Sequence, residues 1–366
     1  MTPREIYDEI VSAFETKYSF LGRDFAERAL LVVSSWNIQK NTQSFMRLNG
    51  HLLLMYKYGF LKSTLLRRFR HLLGKELCTI TNKVTDASIR GSVIHVSGLP
   101  CFIPPTAFDA PFIVCTEFGQ VVGNETSGVV QELLNLLEEG ETSVQSVKIA
   151  SLPDGYKKEL ENKYAQFNLN FYKTNGFMYK VNTSWIVATN NTRFIRSHAL
   201  ESRFDVMSYS DNELTHEITK HVDKNEWYID EDVVHKFREI VNSKRKFAHK
   251  FDLPDEIYTD NISPRESASL QRYGLSRLWW GLKTKVNDFI ELFKKMRLNY
   301  SRSRGKLEDI IITLLKNNTK LTNKQIIDMS GYSRNSVYNA ITSLYTKKII
   351  TKEKHNNIVF YKLYND

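Results

Sequence analysis

Lys62 and Ser63 stand next to each other between a short apolar segment and a run with helical spacing. Residues 51–55 predict a buried strand, and residues 64–73 predict a helix. This order is typical of phosphate sites, where loop amides bind phosphate oxygens, a lysine neutralises the β- and γ-phosphates, and a Ser or Thr hydroxyl binds Mg²⁺. The candidate ATP-binding residues are Tyr56, Lys57, Gly59, Lys62, Ser63 and Thr64, with Ser63 also a metal ligand.

The loop departs from the common GxxxxGK[ST] pattern at two positions. Tyr56 occupies the first glycine position and Leu61 occupies the second. The segment is therefore equally compatible with an ordinary strand–helix connection that carries an exposed Lys62.

A second apolar segment, residues 111–115, predicts another buried strand, and Thr116 and Glu117 follow it. A carboxylate at such a strand end could polarise a water molecule for attack on a phosphate. Thr116 stands where an aspartate usually supports Mg²⁺, and its hydroxyl could hold a metal-bound water without adding charge. The alternative is a strand that simply ends in a surface glutamate.

Asn190 follows a third apolar segment, residues 185–189, and its amide could orient a water molecule. Arg203 follows soon after and could act as a finger on the nucleotide of a neighbouring subunit. We expect Arg203 and Lys62 on opposite flanks of the domain, which requires head-to-tail contacts that close into a ring or continue as a filament. Alone, such an asparagine is usually a turn residue, and such an arginine is usually a solvated charge.

Residues 171–189 predict a strand, a turn and a second strand, because the Asn-Gly pair at 175–176 favours the tight turns that join paired strands. Basic and aromatic side chains are interleaved there, a pattern suited to phosphate contact and base stacking. The residues concerned are the basic Lys173 and Lys180 and the aromatic Tyr172, Phe177 and Tyr179. The alternative is a solvated hairpin whose aromatic residues belong to the core.

The last sixty residues predict a separate unit of three helices and a β-hairpin. The helices are expected at 307–315, 322–329 and 334–345, and the hairpin at 351–361. This order is typical of a winged helix-turn-helix, whose third helix enters the major groove of DNA. The candidate DNA-binding residues are Arg334, Asn335, Ser336, Tyr338 and Asn339 for bases, and Lys347, Lys348, Lys352 and Lys354 for phosphates.

The charge distribution supports a polyanionic partner for this unit. The chain has 366 residues and a net charge of +10. Residues 301–366 carry twelve Lys and Arg against five Asp and Glu, so a net of +7 lies in the last sixth of the chain. This balance favours DNA over the alternative of a winged helix used for protein contacts.

Several classes of protein and site are not expected. No apolar run reaches the roughly 18 residues of a membrane span, and the N-terminus lacks a secretory pattern, so we expect no membrane partner and a cytoplasmic, nucleoid-associated protein. Cys78, Cys101 and Cys115 show no metal-binding spacing, which argues against structural zinc and disulfides. Cys115 lies in an apolar run and is expected in the core.

The order of elements predicts an α/β fold. Strands that alternate with helices imply a mainly parallel sheet with helices on both faces, and residues 1–35 predict a further helical segment. We expect this core at 1–210, a helical region at 211–300, a short basic linker at 301–306 and the winged-helix unit at 307–366.

Together, these motifs resemble those of the minichromosome maintenance (MCM) family of replicative helicases, within the AAA+ class. Residues 56–66, YKYGFLKSTLL, align without gaps on the family's GDPxxAKSQLL phosphate loop, which also lacks a glycine before its lysine. Residues 115–120, CTEFGQ, resemble its IDEFDK motif and keep Glu117. Residues 199–205, ALESRFD, resemble its LLSRFD finger motif and are the most specific match.

Two further segments extend the resemblance over about residues 20–300. Residues 188–191, ATNN, are similar to the family's AANP sensor-1 motif. Residues 263–268, SPRESA, resemble its sensor-2 segment, which implies a catalytic role for Arg265. The C-terminus is similar to the family's winged helix, whereas the family's N-terminal OB-fold domain has no counterpart here.

The resemblance implies an AAA+ P-loop NTPase core with a helical lid, a hexameric homo-oligomer, ATP and Mg²⁺ as ligands, and translocation along DNA or its opening, alongside replication proteins. It makes Glu117, Asn190, Arg203 and Arg265 catalytic and assigns Ser63 and Thr116 to the metal. A second interpretation, prompted by Tyr56 and Thr116, is a DNA-binding initiator or regulator that kept the fold and lost useful hydrolysis. A third is an origin-recognition-type AAA+ initiator, which the SRFD and EF motifs disfavour.

Overall fold

The structure is a computed structural model, and it describes most of the chain. The described residues are 1–41, 49–56, 59–118, 128–172, 175–189, 203–209, 214, 226–244, 251–253, 255, 264–303, 307–330, 332, 334–355 and 358–364. No helix among them is both long enough and apolar enough to cross a membrane.

Helices and strands alternate through the first two hundred residues. The helices of the described ranges are α1 (Pro3–Asn41), α2 (Lys62–Leu73), α3 (Asp86–Arg90), α4 (Gly128–Glu138), α5 (Asp154–Lys163), α6 (Glu231–Asn242), α7 (Pro264–Trp279), α8 (Val286–Ser303), α9 (Leu307–Asn317), α10 (Asn323–Ser330) and α11 (Arg334–Thr346). The strands are β1 (Leu52–Met55), β2 (Cys78–Lys83), β3 (Ser92–Val96), β4 (Leu99–Ile103), β5 (Phe112–Glu117), β6 (Glu141–Gln145), β7 (Asn170–Phe171), β8 (Gly176–Lys180), β9 (Ser184–Thr189), β10 (Asp205–Met207), β11 (Leu321–Thr322), β12 (Ile350–His355) and β13 (Ile358–Leu363).

Five parallel strands form the central sheet, in the order β10, β1, β9, β5, β2. The expected parallel sheet is confirmed, and the three apolar segments expected as strands are β1, β5 and β9. The sequence did not predict β2 and β10, which lie at the two edges of the sheet.

Helices cover both faces of this sheet, as expected. Leu52 and Leu54 of β1 pack in one hydrophobic core with α1, α2, α6 and α7. Leu53 and Met55 pack in a second core, on the opposite face, with α4 and β8. Because successive strand residues point to opposite faces, a four-residue apolar strand contributes equally to both cores. The result is a three-layer α/β architecture.

The long first helix is interrupted once. Ser19 has φ 59°, which is outside the helical region, so α1 consists of two helical segments that meet there. Gly22 permits their close approach, since a Cβ at this position would lie 2.2 Å from the Phe14 carbonyl oxygen. The segment predicted as helical at 1–35 therefore extends to Asn41, with a break that the sequence did not predict.

Two smaller antiparallel sheets lie beside the second core. One has the strand order β6, β8, β7 and contains the first part of the segment predicted as strand, turn and strand at 171–189, whose last residues form β9 of the central sheet instead. The other is the β3–β4 hairpin, whose turn residues Ser97 and Gly98 have φ 51° and 80°, the left-handed values of a two-residue hairpin turn. Val93 and Phe102 bury one face of this hairpin, and Leu99 is 72% exposed on the other.

The three cysteines lie in two different environments. Cys78 and Cys115 are buried in β2 and β5, which confirms the core position expected for Cys115. Burial raises the pKa of the Cys78 thiol to about 12 and that of the Cys115 thiol to about 11. Cys101, on β4, is half-buried, and its Sγ lies 3.9 Å from the Tyr156 hydroxyl.

The C-terminal residues form a compact unit with its own hydrophobic core. Its elements run α9, β11, α10, α11, β12, β13, with the three strands in the order β11, β13, β12. The predicted three helices and hairpin are confirmed. Thr322 and Gln325 form a capping box, because the amide of each donates to the side chain of the other, at 2.9 and 3.3 Å. The linker expected at 301–306 is wrong in part, since α8 continues to Ser303.

Candidate functional site

The carboxyl ends of the central strands meet at one edge of the sheet. Met55 of β1 pairs with Thr189 of β9, and Cys115 of β5 pairs with Val187, so Glu117 is level with Thr189. Neighbouring strands lie about 4.8 Å apart, which puts the Cα atoms of Glu117 and Met55 about 10 Å apart. The phosphate-loop candidate and the candidate water-polarising carboxylate thus leave the sheet at the same edge and height.

Two described residues between β1 and α2 have left-handed backbone conformations. Gly59 has φ 89°, and Leu61, which precedes the first residue of α2, has φ 60° and ψ 0°. Leu61 stands at the second glycine position of the common motif, and it has adopted a conformation that glycine favours. A side chain held there costs roughly 1–2 kcal/mol. No side chain caps the amino end of α2, so its first amides can bind an anion.

Lys62 is not the exposed lysine of the simple strand–helix alternative. It is 6% exposed, and its Nζ donates a hydrogen bond of 2.6 Å to the Tyr56 carbonyl oxygen. The same Nζ lies 4.6 Å from the centre of the Tyr56 ring. Burial lowers the pKa of Lys62 to about 8. The candidate phosphate-binding cation is therefore folded back against the residue that opens its own loop.

The candidate metal ligands are hydroxyls. Ser63 is exposed on the first turn of α2, as is Thr64. Thr116 is half-buried and donates to Asn82 Oδ1 at 3.4 Å, and strand alternation puts it on the sheet face that packs against α2. The described residues contain no group of three or more His, Cys, Asp or Glu arranged to hold a metal. Hydroxyls beside phosphate oxygens fit a Mg²⁺ that binds together with a nucleotide, because Mg²⁺ keeps several waters.

A buried ionic network, which the sequence did not predict, lies next to the candidate phosphate loop. Arg28 of α1 is 6% exposed, its Nε lies 3.0 Å from Asp24 Oδ1, and its Nη1 pairs with Asp205 of β10. The Tyr209 hydroxyl donates to Asp24, and the Tyr209 ring packs edge-on against Tyr56, 5.7 Å between ring centres. The spacing of four residues between an aspartate and an arginine in α1 was the available signal. The network fixes Tyr56, and through it the start of the loop.

Arg203 lies near the amino ends of the central strands, whereas Lys62 follows their carboxyl ends. Arg203 lies two residues before β10, whose first residue, Asp205, pairs with Leu52 at the amino end of β1. Its guanidinium forms an ion pair with Glu138, at the carboxyl end of α4, and its side chain is 11% exposed. The four residues of β1, about 13 Å of strand, therefore separate the end of the sheet near Arg203 from the end near Lys62.

The hairpin residues split between surface and core. Lys180 is exposed, and its Nζ lies 3.9 Å from Glu141 Oε2 on the neighbouring strand. Phe177 and Tyr179 have no exposed surface and belong to the second core. The base-stacking role predicted for Phe177 and Tyr179 is therefore wrong, because side chains that close the core cannot contact a base.

The C-terminal unit presents its predicted contact residues on the surface. The exposed side chains are those of Arg334, Asn335, Ser336, Tyr338 and Asn339 on α11, and of Lys347, Lys348, Lys352 and Lys354 after it. Ile341 and Leu344 are buried, as expected for core positions of α11. Lys347 differs from the other lysines, because its Nζ lies 3.1 Å from both carboxylate oxygens of Glu308.

Four predicted site residues receive no side-chain description. Lys57, Lys173 and Asn190 lie outside the described residues. Arg265 belongs to the first turn of α7, and its side chain is outside the described part of the chain. Their predicted roles stay predictions.

No family model matches the sequence, and no curated protein sequence matches it significantly. A functional assignment therefore depends on the fold and on the geometry of the residues described above.

Proposed function

We propose that the chain is an AAA+-type, MCM-like ATPase that binds DNA and couples ATP hydrolysis to translocation or duplex opening. The observation that carries the proposal is the arrangement at the carboxyl edge of the central sheet. A loop with left-handed backbone at Gly59 and Leu61 leads into α2 at Lys62, and Glu117 ends a strand at the same height. Ligands of open parallel sheets bind outside this edge.

Each residue of this edge has a definite task in the proposal. The amides that begin α2 and the ammonium of Lys62 bind phosphate oxygens, and the Ser63 hydroxyl contributes to the metal. Mg²⁺ bound with the nucleotide would supply positive charge to the phosphate oxygens. Glu117 polarises the attacking water. The MCM resemblance implies that Asn190 orients this water and that Arg265 contacts the nucleotide. With Mg²⁺ bound, the Thr116 hydroxyl would be the group that supports the metal where an aspartate usually stands.

A closed oligomer is part of the proposal. Arg203 lies at the edge of the sheet opposite Lys62, so it cannot act on the nucleotide of its own subunit. A head-to-tail neighbour would bring its Arg203 to that nucleotide, and such heterologous contacts close into rings. We propose a hexamer, the assembly implied by the MCM resemblance.

The C-terminal unit supplies the DNA contact in this proposal. Its order of helices and strands supports a winged helix, and its third helix, α11, exposes an Arg, two Asn and a Tyr. Arginine and asparagine can read guanine and adenine in the major groove. The lysines at 348, 352 and 354 follow at the end of α11 and on the wing, where they would meet phosphates.

Steady-state ATP hydrolysis by the purified full chain, with and without single-stranded DNA, tests the proposal. We expect turnover that DNA stimulates, and its loss together with ATP binding in Lys62→Ala. Glu117→Gln should bind ATP and lose turnover by about a hundredfold, the usual weight of a catalytic base. Glu159→Gln, an exposed carboxylate of α5, is the matched control and should turn over normally.

A second function is favoured by a specific observation. Lys62 is held by the Tyr56 carbonyl, and no carboxylate stands at the position of Thr116. An initiator or regulator that binds DNA without useful hydrolysis would fit both features. DNA binding that persists with turnover no higher than in Lys62→Ala would select this function over the first.

A further inference from the structure

A cleft of about 490 Å³ opens at the carboxyl end of α2, about 18 Å along the helix from Lys62. Its walls come from the end of α2, the turn that follows it and one face of α6. The lining includes four basic side chains and a single carboxylate: Arg70, His71, Lys75, Arg238 and Glu76. It is separate from the proposed nucleotide site, which lies at the other end of the same helix.

Contacts with the end of α2 hold Arg238 in this cleft. Its Nε donates to the Leu72 carbonyl oxygen at 2.8 Å, and its Nη2 donates to the His71 carbonyl oxygen at 2.7 Å. Gly74, with φ 80°, makes room for it, because a Cβ there would lie 3.2 Å from the Arg238 guanidinium. The described hydrogen bonds leave Nη1 of Arg238 to a ligand.

The cleft lining has a net positive charge, because Arg70, Lys75 and Arg238 outnumber the single carboxylate of Glu76. Arg70, Lys75 and Arg238 form no ion pair with an acidic side chain of the described ranges, and Arg70 Nε is buried without a hydrogen-bond partner there. Like charges that converge repel one another, so an arrangement of this kind is stabilised when an anion binds. Guanidinium groups match the geometry of phosphate oxygens, which they bind in pairs.

We propose that this cleft binds phosphate groups of a nucleic-acid strand, as a contact separate from the C-terminal unit. The choice of nucleic acid rests on the proposed function, in which DNA is the partner. The net charge of +10 and the basic lining of the cleft suit a phosphate backbone that lies along it. Two phosphate contacts in the cleft would add to the salt dependence of DNA binding.

The test is DNA binding by the full chain, measured by fluorescence anisotropy from 50 to 300 mM KCl. The probes are a labelled 30-nucleotide single strand and the corresponding duplex. We expect the double substitution Arg70→Gln with Lys75→Gln to weaken binding three- to tenfold at 100 mM KCl. The slope of log affinity against log salt should become shallower by about 1.4 units for the single strand and about 1.8 for the duplex.

The matched control removes the same charges from the same region. Arg67→Gln with Lys236→Gln changes exposed residues of α2 and α6 that do not line the cleft, and it should change affinity less than twofold. Equal losses in the two double variants would show a general charge effect and overturn the proposal. Lys75→Glu, at an exposed position, checks the result without touching the half-buried Arg70, and unchanged binding in that folded variant would also overturn it.

Two further measurements distinguish this proposal from an acidic protein partner and from a failure of the proposed ATPase function. A poly-glutamate peptide that displaces DNA from the wild type, and binds the Lys75→Glu variant weakly, would reassign the cleft to an acidic protein partner. ATP turnover without DNA should be normal in all the cleft variants, since the cleft is remote from Lys62. If turnover is lost only in Lys62→Ala and DNA binding is equal in the wild type and the cleft variants, the nucleic-acid role of the cleft is rejected. The proposed ATPase function is then unaffected.

Discussion

At the scale of single residues, the protonation of Lys62 controls the proposed phosphate loop. Its amine is nearly inaccessible to solvent and bonds to the Tyr56 carbonyl oxygen, and burial lowers its pKa to about 8. A phosphate that took the place of this carbonyl oxygen would favour the ammonium form and raise the pKa again. Nucleotide binding should therefore be coupled to proton uptake by Lys62.

We expect ATP affinity to be nearly constant below about pH 7 and to fall as the pH rises through 8. Above its lowered pKa the free protein holds a neutral amine, which must take up a proton before it can pair with phosphate, so the loss is up to about tenfold per pH unit. The measurement is the Kd of a fluorescent ATP analogue between pH 6.5 and 9.5.

Lys62→Arg is the control for this pH dependence. A guanidinium stays protonated throughout the range, so the affinity of this variant should not change with pH. Parallel losses in the wild type and in Lys62→Arg would assign the titration to another group.

At the scale of elements, the sequence predicted the three central strands that are buried on both faces and missed the two edge strands of the same sheet. β1, β5 and β9 are continuous apolar runs, which is the pattern of a central parallel strand. β2 was missed because it lies at the sheet edge and alternates with threonine and lysine. The β3–β4 hairpin has a Ser-Gly turn signal at 97–98, but apolar residues occur on both of its faces. Its sequence therefore lacks the alternation of apolar and polar residues that predicts a strand.

The site could be predicted only in part, because its geometry is non-local. The residue types of the phosphate loop, Glu117 and Arg203 were visible in the sequence. The strand order places Glu117 at the same height as the end of β1, and it also decides at which end of the sheet Arg203 lies. This order depends on how the helices connect the strands, which no local sequence pattern gives. The burial of Lys62 depends on Tyr56, whose ring packs against Tyr209, which in turn donates a hydrogen bond to Asp24. No local sequence pattern relates Tyr209 or Asp24 to the loop.

The C-terminal unit yields a prediction about its lysines. Lys352→Gln with Lys354→Gln should weaken duplex DNA binding at all sequences and make its salt dependence shallower by about 1 to 2 units, because each would remove one of the proposed phosphate contacts. Lys347→Gln should have a smaller effect, since Glu308 already neutralises that ammonium. Anisotropy titrations at several KCl concentrations measure both, and equal losses from Lys347→Gln would contradict the assignment.

At the scale of the whole molecule, the opposite placement of Lys62 and Arg203 predicts shared active sites. Lys62→Ala and Arg203→Ala should each be inactive alone. In a mixed assembly, an Arg203→Ala subunit keeps a working phosphate loop and can receive the arginine of a Lys62→Ala neighbour. Equimolar mixing should therefore restore about a quarter of wild-type ATP turnover if subunits associate at random.

Glu138→Gln distinguishes a finger from a structural ion pair. It removes the partner of Arg203 and keeps the guanidinium. A catalytic Arg203 predicts turnover that is kept in Glu138→Gln and lost in Arg203→Ala, with ATP binding unchanged in both. Equal losses in the two variants, together with a lower melting temperature, would identify the pair as part of the fold alone.

The different environments of the three cysteines have a practical consequence for labelling. Cys78 and Cys115 are buried with raised thiol pKa values, so a maleimide dye finds almost no thiolate at either position near neutral pH. Cys101 is the most accessible of the three and shares its face of the β3–β4 hairpin with the exposed Leu99. The unsubstituted protein should therefore accept a single fluorophore at Cys101, whose emission would report any molecule that covers this face.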